Sequence, residues 1–128
     1  METGIKNIKT LTVTAENTAE AMGSGTLPVF ATPAMVALME ATAAESVEAL
    51  LPEGSTSVGT LITVKHLSAD PVGAEVTCES VLTEADGRKL AFEIKVSDCD
   101  GIVGEAYHER FVIDSTRFME KTRKKLDR

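Results

Sequence analysis

The sequence predicts an α+β protein in which one antiparallel sheet curls around a single long helix. Two patterns support this prediction. Residues 30–51 are apolar nearly all round, as expected of a helix that is buried on more than one side. After Pro52, four segments alternate apolar and polar residues between turn signals, which is typical of half-buried antiparallel strands. The long helix is the only predicted element able to cover the apolar face of such a sheet.

The elements before the helix are predicted to be a strand and a short helical turn. Residues 5–14 alternate threonines with aliphatic side chains, which favours a half-buried strand. Asn17 and Glu20 have the spacing of a capping box, so we expect a helical turn to begin at Asn17. The Gly-Ser-Gly run at 23–25 indicates a loop before the long helix.

The long helix is predicted to begin with Thr32 as its N-cap and to end before Pro52. Thr32 is a favoured capping residue, and Pro33 suits the first helical position. Glu40 is the one carboxylate at the edge of the apolar face. The opposite face is rich in alanine, so we expect a second subunit to cover it. The apolar face carries Met35, Val36, Met39, Ala43, Ser46, Val47 and Leu50.

The four later strands are predicted over residues 58–67, 75–83, 89–97 and 102–113, followed by a short helix from Ser115. The turns between them are short, so we expect the four strands to form a meander in which each pairs with the next. In the first of these strands, the inward face carries Ile62, Val64 and His66.

Length and charge favour one acidic domain, residues 1–128. The net charge is −7, although residues 117–128 hold six Lys/Arg against two acids. An acidic body argues against nucleic-acid binding. The basic tail is either a solvated terminal helix or a contact for a phosphate-bearing ligand or an acidic partner.

The chain shows no signal for membrane insertion or export. No run approaches the roughly 18 apolar residues of a membrane-spanning helix, and the N-terminus is polar. We therefore expect a cytoplasmic protein in which Cys78 and Cys99 are reduced thiols. No metal motif or phosphate loop is present, so no metal or cofactor is expected.

Thr32, Glu40 and His66 are the candidate catalytic residues. A helix N-terminus offers unpaired N–H groups to a developing oxyanion, and a carboxylate and an imidazole can move protons. Each residue also has a plain structural interpretation: Thr32 as an N-cap, Glu40 as a solvated helix edge, and His66 as a core histidine.

The spacing of these residues limits the mechanism. Thr32 and Glu40 are separated by roughly 12 Å along the helix axis. We therefore expect a substrate carbonyl or a water between them rather than a contiguous triad. His108 and Arg110 share a face of the last strand and could form a surface pair near Glu109.

The chain resembles the hotdog-fold thioesterases of the fluoroacetyl-CoA thioesterase type. The resemblance spans residues 30–113 and rests on three segments: F-A-T-P-A-M-V-A-L-M-E at the helix start, G-T-x-x-x-V-x-H at 59–66, and H-E-R at 108–110. It implies that Thr32, Glu40 and His66 are catalytic, that Gly59 and Arg110 help to bind the substrate, and that the site lies at a dimer interface and takes an acyl-coenzyme A.

Before residue 30, the chain differs from the fluoroacetate-specific member of this family. Residues 16–29 contain no aromatic residue in place of that member's phenylalanine-bearing lid. We therefore expect thioester hydrolysis without fluoroacetate specificity. A small to medium acyl pocket is predicted to be lined by Met35, Val36 and Met39, since methionine adapts to varied shapes.

Three functions are compatible with these patterns. The first is an acyl-CoA thioesterase in which Thr32 and the helix N-terminus hold the carbonyl, Glu40 is base or nucleophile, and His66 relays a proton. The second is a non-catalytic acyl-CoA-binding or ligand-sensing module. The third is a structural dimer module without a ligand. We expect a homodimer, and the sequence leaves further pairing into a tetramer open.

Overall fold

The computed structural model describes residues 1–127 and shows a five-stranded antiparallel sheet packed around one long helix. Arg128, the last residue of the predicted domain and basic tail, lies outside the described residues. The strands are β1 (Lys6–Thr12), β2 (Ser55–His66), β3 (Glu75–Asp86), β4 (Lys89–Asp98) and β5 (Gly101–Asp114). The α-helices are α1 (Ala19–Met22), α2 (Thr32–Val47) and α3 (Ser115–Arg123). The predicted architecture is therefore confirmed.

The order of the strands differs from the predicted four-strand meander. The observed order is β1-β3-β4-β5-β2, with every neighbouring pair antiparallel. Only β3, β4 and β5 form a meander. β2 pairs with β5 because the longer segment 67–74 carries the chain across the end of the sheet, whereas the two later connections are tight turns. β2 consequently lies at an open edge of the sheet.

The core lies between α2 and the concave face of the sheet, and α2 contacts all five strands. Gly104 of β5 allows the closest approach, since a methyl group added there would fall 2.5 Å from Met35 Sδ. Met35, Met39 and Val47 are fully buried, as is Thr42, which the apolar pattern did not include. Leu50 was predicted on the buried face, but it lies beyond the last α-helical turn and is 58% exposed.

Two predicted helix caps are wrong. The short helix α1 is capped by Thr18, whose hydroxyl accepts a hydrogen bond from Ala21 N, and not by Asn17. Asn17 instead closes the preceding 3-10 turn, where its side chain accepts from Thr14 N. The N-cap of α2 is Ala31, because Thr32 has already entered the helix and its hydroxyl bonds elsewhere.

Two further features concern the helices and the cysteines. Among residues 1–127, the helices lack the combination of length and apolar character that a bilayer crossing requires. Both thiols are free, with Cys78 buried and Cys99 exposed.

Candidate active site

The Thr32 hydroxyl and the His66 imidazole form a hydrogen-bonded pair at the N-terminus of α2. Their Oγ1 and Nδ1 atoms are 2.8 Å apart. Thr32 is the first residue of α2, and His66 is the last residue of β2. The helix begins here because Pro33 has no N–H to satisfy and an already helical φ. Met35 N donates to Ala31 O at 3.0 Å, so Thr32 and Ala34 contribute the remaining N–H groups of the first turn.

A cavity of about 310 Å³ opens beside this pair. Its walls include Thr32 and His66 together with Ala19, Ser24 and Val29 from the segment 16–29. Segment 16–29, which contains no aromatic residue, therefore lines the cavity with small and aliphatic side chains. Such a wall can accept an acyl group through apolar contact.

Glu40 lies in a second polar cluster, further along α2. Its Oε2 is 3.6 Å from Arg110 Nη1, and its side chain is 40% exposed. Glu40 therefore faces a guanidinium rather than the purely apolar surroundings that the helix pattern suggested. The ion pair holds the carboxylate over β2.

Ser57 of β2 holds the Arg110 side chain in place through two hydrogen bonds. Arg110 Nε donates to Ser57 Oγ at 2.7 Å, and Nη2 donates to the Ser57 carbonyl at 2.9 Å. Arg110 is 8% exposed, and desolvation lowers its pKa. Since these two bonds to Ser57 fix the guanidinium, Arg110 presents Nη1 to Glu40 in one orientation. Sequence reasoning missed Ser57, for which no local pattern gave a signal.

His108 completes the same cluster and is 1% exposed. Its Nδ1 lies 2.8 Å from the Leu61 carbonyl, which can only accept, so Nδ1 carries the proton. Nε2 then accepts from Arg110 Nη1 at 3.2 Å. The surface pair that the sequence suggested for His108 and Arg110 is therefore wrong. Both side chains point inward, because they occupy alternate positions on the concave side of β5.

Gly59 leaves room for the Glu40 carboxylate. A methyl group added at Gly59 would fall 2.7 Å from Glu40 Oε2 and 3.3 Å from His108 Cε1. Any larger residue would displace the carboxylate. Gly59 also lies at an irregularity in the β2–β5 pairing, between Gly59 and Leu61.

Burial lowers the pKa of both histidines. For His66 desolvation is the main cause, and the nearby backbone of Ser68 opposes it. For His108 desolvation is again first, and the neighbouring Arg110 charge adds to it. His66 is therefore neutral at pH 7 and can accept or deliver a proton. Its Nε2 is buried and has no hydrogen-bond partner among residues 1–127.

The structure thus divides the predicted site residues between two places in the single chain. Thr32 and His66 meet at the helix N-terminus, whereas Glu40, Gly59 and Arg110 meet seven residues away along β2. Within the described chain, no hydrogen bond joins Glu40 to Thr32 or His66. The three predicted lining residues are located elsewhere: Met35 and Met39 are wholly buried in the core, and Val36 is half-buried.

Comparison with known proteins identifies the family. A family model described as fluoroacetyl-CoA-specific thioesterase matches residues 13–116. The fluoroacetyl-CoA thioesterase of Streptantibioticus cattleyicolor is 38% identical over 97 residues, which cover 76% of this chain and 70% of that enzyme. The matched range of the family model includes the helix start, the β2 segment and the H-E-R segment that carry the resemblance.

Solved structures agree with this assignment. A single-residue variant of the fluoroacetyl-CoA thioesterase FlK, in complex with acetyl-CoA, superimposes with a TM-score of 0.92 at 30% identity, covering 98% of each chain. A hot-dog-like protein from Thermanaerovibrio acidaminovorans has a TM-score of 0.90 at 22% identity, covering 98% of this chain and 93% of that one, which shows the shared fold alone. The chain therefore belongs to the fluoroacetyl-CoA-specific thioesterase family and is a thioester hydrolase with a hotdog fold.

Proposed function

We propose that this protein hydrolyses the thioester of a small to medium acyl-CoA to the free acid and coenzyme A. The observation that carries the proposal is the 2.8 Å contact between Thr32 Oγ1 and His66 Nδ1 at a helix N-terminus beside a cavity. A hydroxyl, a neutral imidazole and first-turn N–H groups are the parts needed to bind and polarise a thioester carbonyl. Family membership supports an acyl-CoA as the substrate.

The roles of the residues follow from their surroundings. The Thr32 hydroxyl and the N-terminal N–H groups of α2 hold the thioester carbonyl. Glu40 removes a proton from the attacking water, or attacks the carbonyl itself to give an anhydride that water then cleaves. His66 donates a proton to the departing thiolate. Because His66 starts in its neutral form, it must first accept that proton. Arg110 and Gly59 fix the position of the Glu40 carboxylate, and Arg110 also faces the bound substrate.

The acyl preference is proposed from the cavity wall. Ala19 and Val29 present small and aliphatic surfaces, and the volume of about 310 Å³ is at the lower end of ligand sites. A short or medium aliphatic acyl group fits this description better than a bulky aromatic one.

The active unit is proposed to be a homodimer. β2 is a twelve-residue edge strand whose outer N–H and C=O groups have no strand partner among residues 1–127. Leu61 on this strand is 46% exposed, and long open edges are normally paired or covered. Antiparallel pairing of two β2 edges about a two-fold axis reverses one strand against the other. The His66 end of one copy would then approach the Gly59 and Glu40 region of the other.

This dimer would bring the Thr32–His66 pair of one copy close to the Glu40–Arg110 cluster of the other. Thr32 and His66 of one copy and Glu40 of the other would face one substrate, and the dimer would hold two equivalent sites. The alanine-rich side of α2 would be covered at the same time. A cytoplasmic location, where coenzyme A esters and reduced thiols occur together, is proposed with it.

The activity is tested by thiol release across acyl-CoAs of increasing chain length. We expect hydrolysis that is highest for short or medium aliphatic chains and low for bulky aromatic acyl groups. If the purified protein binds acyl-CoA without releasing thiol from any of them, it is a ligand-binding module and the proposed chemistry is wrong.

The shared site is tested by mixing two inactive variants, Glu40→Gln and His66→Ala, after reversible unfolding. In a mixed dimer with shared sites, one site has both substitutions and the other has neither. Equal mixing should restore about a quarter of the wild-type activity. If each chain holds a complete site, no activity will return. Light scattering at micromolar concentration should give twice the 13.6 kDa chain mass.

A further inference from the structure

His108 is a buried histidine to which neither the family resemblance nor the proposed hydrolysis assigns a role. It is 1% exposed, and a buried imidazole needs partners for both of its ring nitrogens. Nδ1 donates to the Leu61 carbonyl at 2.8 Å, and Nε2 accepts from Arg110 Nη1 at 3.2 Å. His108 therefore acts on the same guanidinium nitrogen that faces Glu40.

The orientation of the His108 ring is set by β2. Its contact there is a backbone carbonyl, so the proton is on Nδ1, and Nε2 is left as an acceptor directed at Arg110. That carbonyl belongs to Leu61, the first paired residue after the irregularity in the β2–β5 register that begins at Gly59. The stretch of β2 that makes room for Glu40 is therefore also the stretch that orients His108.

Arg110 directs its hydrogen bonds to neutral acceptors. Nε and Nη2 donate to the hydroxyl and the carbonyl of Ser57 at 2.7 and 2.9 Å, and Nη1 donates to His108. Glu40 Oε2 is 3.6 Å from Nη1, a longer distance than the roughly 2.7–2.9 Å of a charge-assisted hydrogen bond. The guanidinium therefore provides Glu40 with a neighbouring positive charge without occupying the carboxylate oxygens.

This separation keeps the Glu40 carboxylate available for chemistry. Its side chain is 40% exposed, so water can reach oxygens to which Arg110 is not bonded. A guanidinium with free N–H groups tends to bind a carboxylate through two parallel hydrogen bonds. Such a pair would occupy the lone pairs with which Glu40 takes a proton from water or attacks the carbonyl.

We propose that His108 is a positioning residue for hydrolysis: it holds Arg110 Nη1 so that the guanidinium stays near Glu40 without closing on it. Ser57 supports the same placement through Nε and Nη2. This inference rests on the proposed role of Glu40 in the reaction. His108 acts only through Arg110 and does not itself touch the reacting atoms.

Two substitutions separate the two hydrogen bonds of His108. His108→Gln keeps an oxygen near the place of Nε2 and can still accept from Arg110, whereas His108→Asn keeps only a donor near the place of Nδ1. Both side chains are smaller than the buried imidazole, so both variants should have a lower Tm. In steady-state thiol release, only His108→Asn should lower kcat strongly, about 10- to 100-fold, since misplacing a catalytic group by about 1 Å can cost about 100-fold. His108→Gln should recover most of that loss, and KM should change little in either variant.

Crystal structures of the two variants measure the geometry independently of activity. In His108→Asn, Arg110 Nη1 loses its neutral acceptor and should close to about 2.7–2.9 Å from Glu40 Oε2. In His108→Gln, the separation should stay near the present 3.6 Å.

Ser57→Ala tests the same placement with a smaller change in packing. It removes the acceptor of Arg110 Nε and should lower kcat about tenfold, as expected for a hydrogen bond to a charged group. Ser80→Ala on β3 is the matched control, because Ser80 is fully buried and its hydroxyl has no partner among residues 1–127. Its kcat should stay within about twofold of the wild-type value.

A double variant tests whether His108 acts through Glu40. Adding His108→Asn to Glu40→Gln should change the remaining rate less than about twofold, whereas independent effects would multiply. The proposal is overturned by equal kcat losses in His108→Asn and His108→Gln, by an unchanged Nη1–Oε2 distance in His108→Asn, or by losses that multiply in the double variant. If the wild-type protein releases no thiol, the hydrolysis and this role fail together. If it does and both His108 variants keep its kcat, the role of His108 alone fails.

Discussion

Gly59 and Glu40 are complementary in shape: the glycine leaves the space that the carboxylate fills. A methyl group at residue 59 would fall 2.7 Å from Glu40 Oε2, closer than side-chain atoms normally approach. Since Gly59 belongs to β2 and Glu40 to α2, this contact also sets how closely the edge strand and the helix pack.

We expect Gly59→Ala to lower kcat while the protein stays folded. The methyl group displaces the Glu40 carboxylate and also crowds Arg110 Nη1 at 3.4 Å. A displacement of about 1 Å can lower the rate about 100-fold. Steady-state thiol release and thermal melting measure the two effects.

Gly104→Ala is the control, because it crowds Met35 in the core without touching Glu40. It should lower Tm, since overpacking costs about 1–3 kcal/mol, yet leave kcat of the folded protein nearly unchanged. Equal kcat losses in the two variants would show that general disruption, and not the Glu40 position, is responsible.

Glu40→Gln should remove most of the turnover. The amide keeps the shape of the side chain but can act neither as base nor as nucleophile, and losing a positioned base lowers the rate about 10²–10⁴-fold. Glu45→Gln on the same helix breaks only an exposed pair with Lys9 and should leave the rate unchanged. Near-normal activity of Glu40→Gln would remove Glu40 from the mechanism.

Thr32→Ala should lower turnover with little change in Tm. The N-cap interpretation of Thr32 required a loss of stability, but its hydroxyl bonds His66 and does not cap α2. Thr18→Ala is the comparison, because Thr18 is a true cap of α1 and its loss should cost about 1 kcal/mol. A larger Tm decrease in Thr32→Ala than in Thr18→Ala would contradict this assignment.

When kcat/KM is measured against pH, its decrease on the acidic side should occur below pH 6.5. Burial lowers the pKa of His66, so the folded protein releases this proton at a lower pH than an exposed histidine does. The neutral imidazole is therefore already present at pH 6.5, and activity that depends on it is lost only as the pH falls further. The residual activity of His66→Gln should lack this decrease. A decrease that begins above pH 7 would show that His66 is not the titrating group.

Much of the fold was predictable because its signals are local. Alternation of apolar and polar residues placed the last strands to within a few residues, since each β-strand exposes alternate side chains to one face. The helix was recognised because residues 30–51 are apolar over so much of its circumference. The family was recognised from Thr32, Glu40 and His66 together with Gly59, which precedes His66 in β2.

The tertiary structure alone decided which distant groups meet. β2 pairs with β5 instead of β3, because the partner of a strand depends on which sheet edge is free and not on its own alternation. Thr32 bonds a histidine 34 residues away, a contact that no helix-capping pattern contains. Arg110 became a buried anchor only because Ser57 lies beneath it. In each case, long-range packing brings together side chains whose positions along the sequence carry no mutual signal.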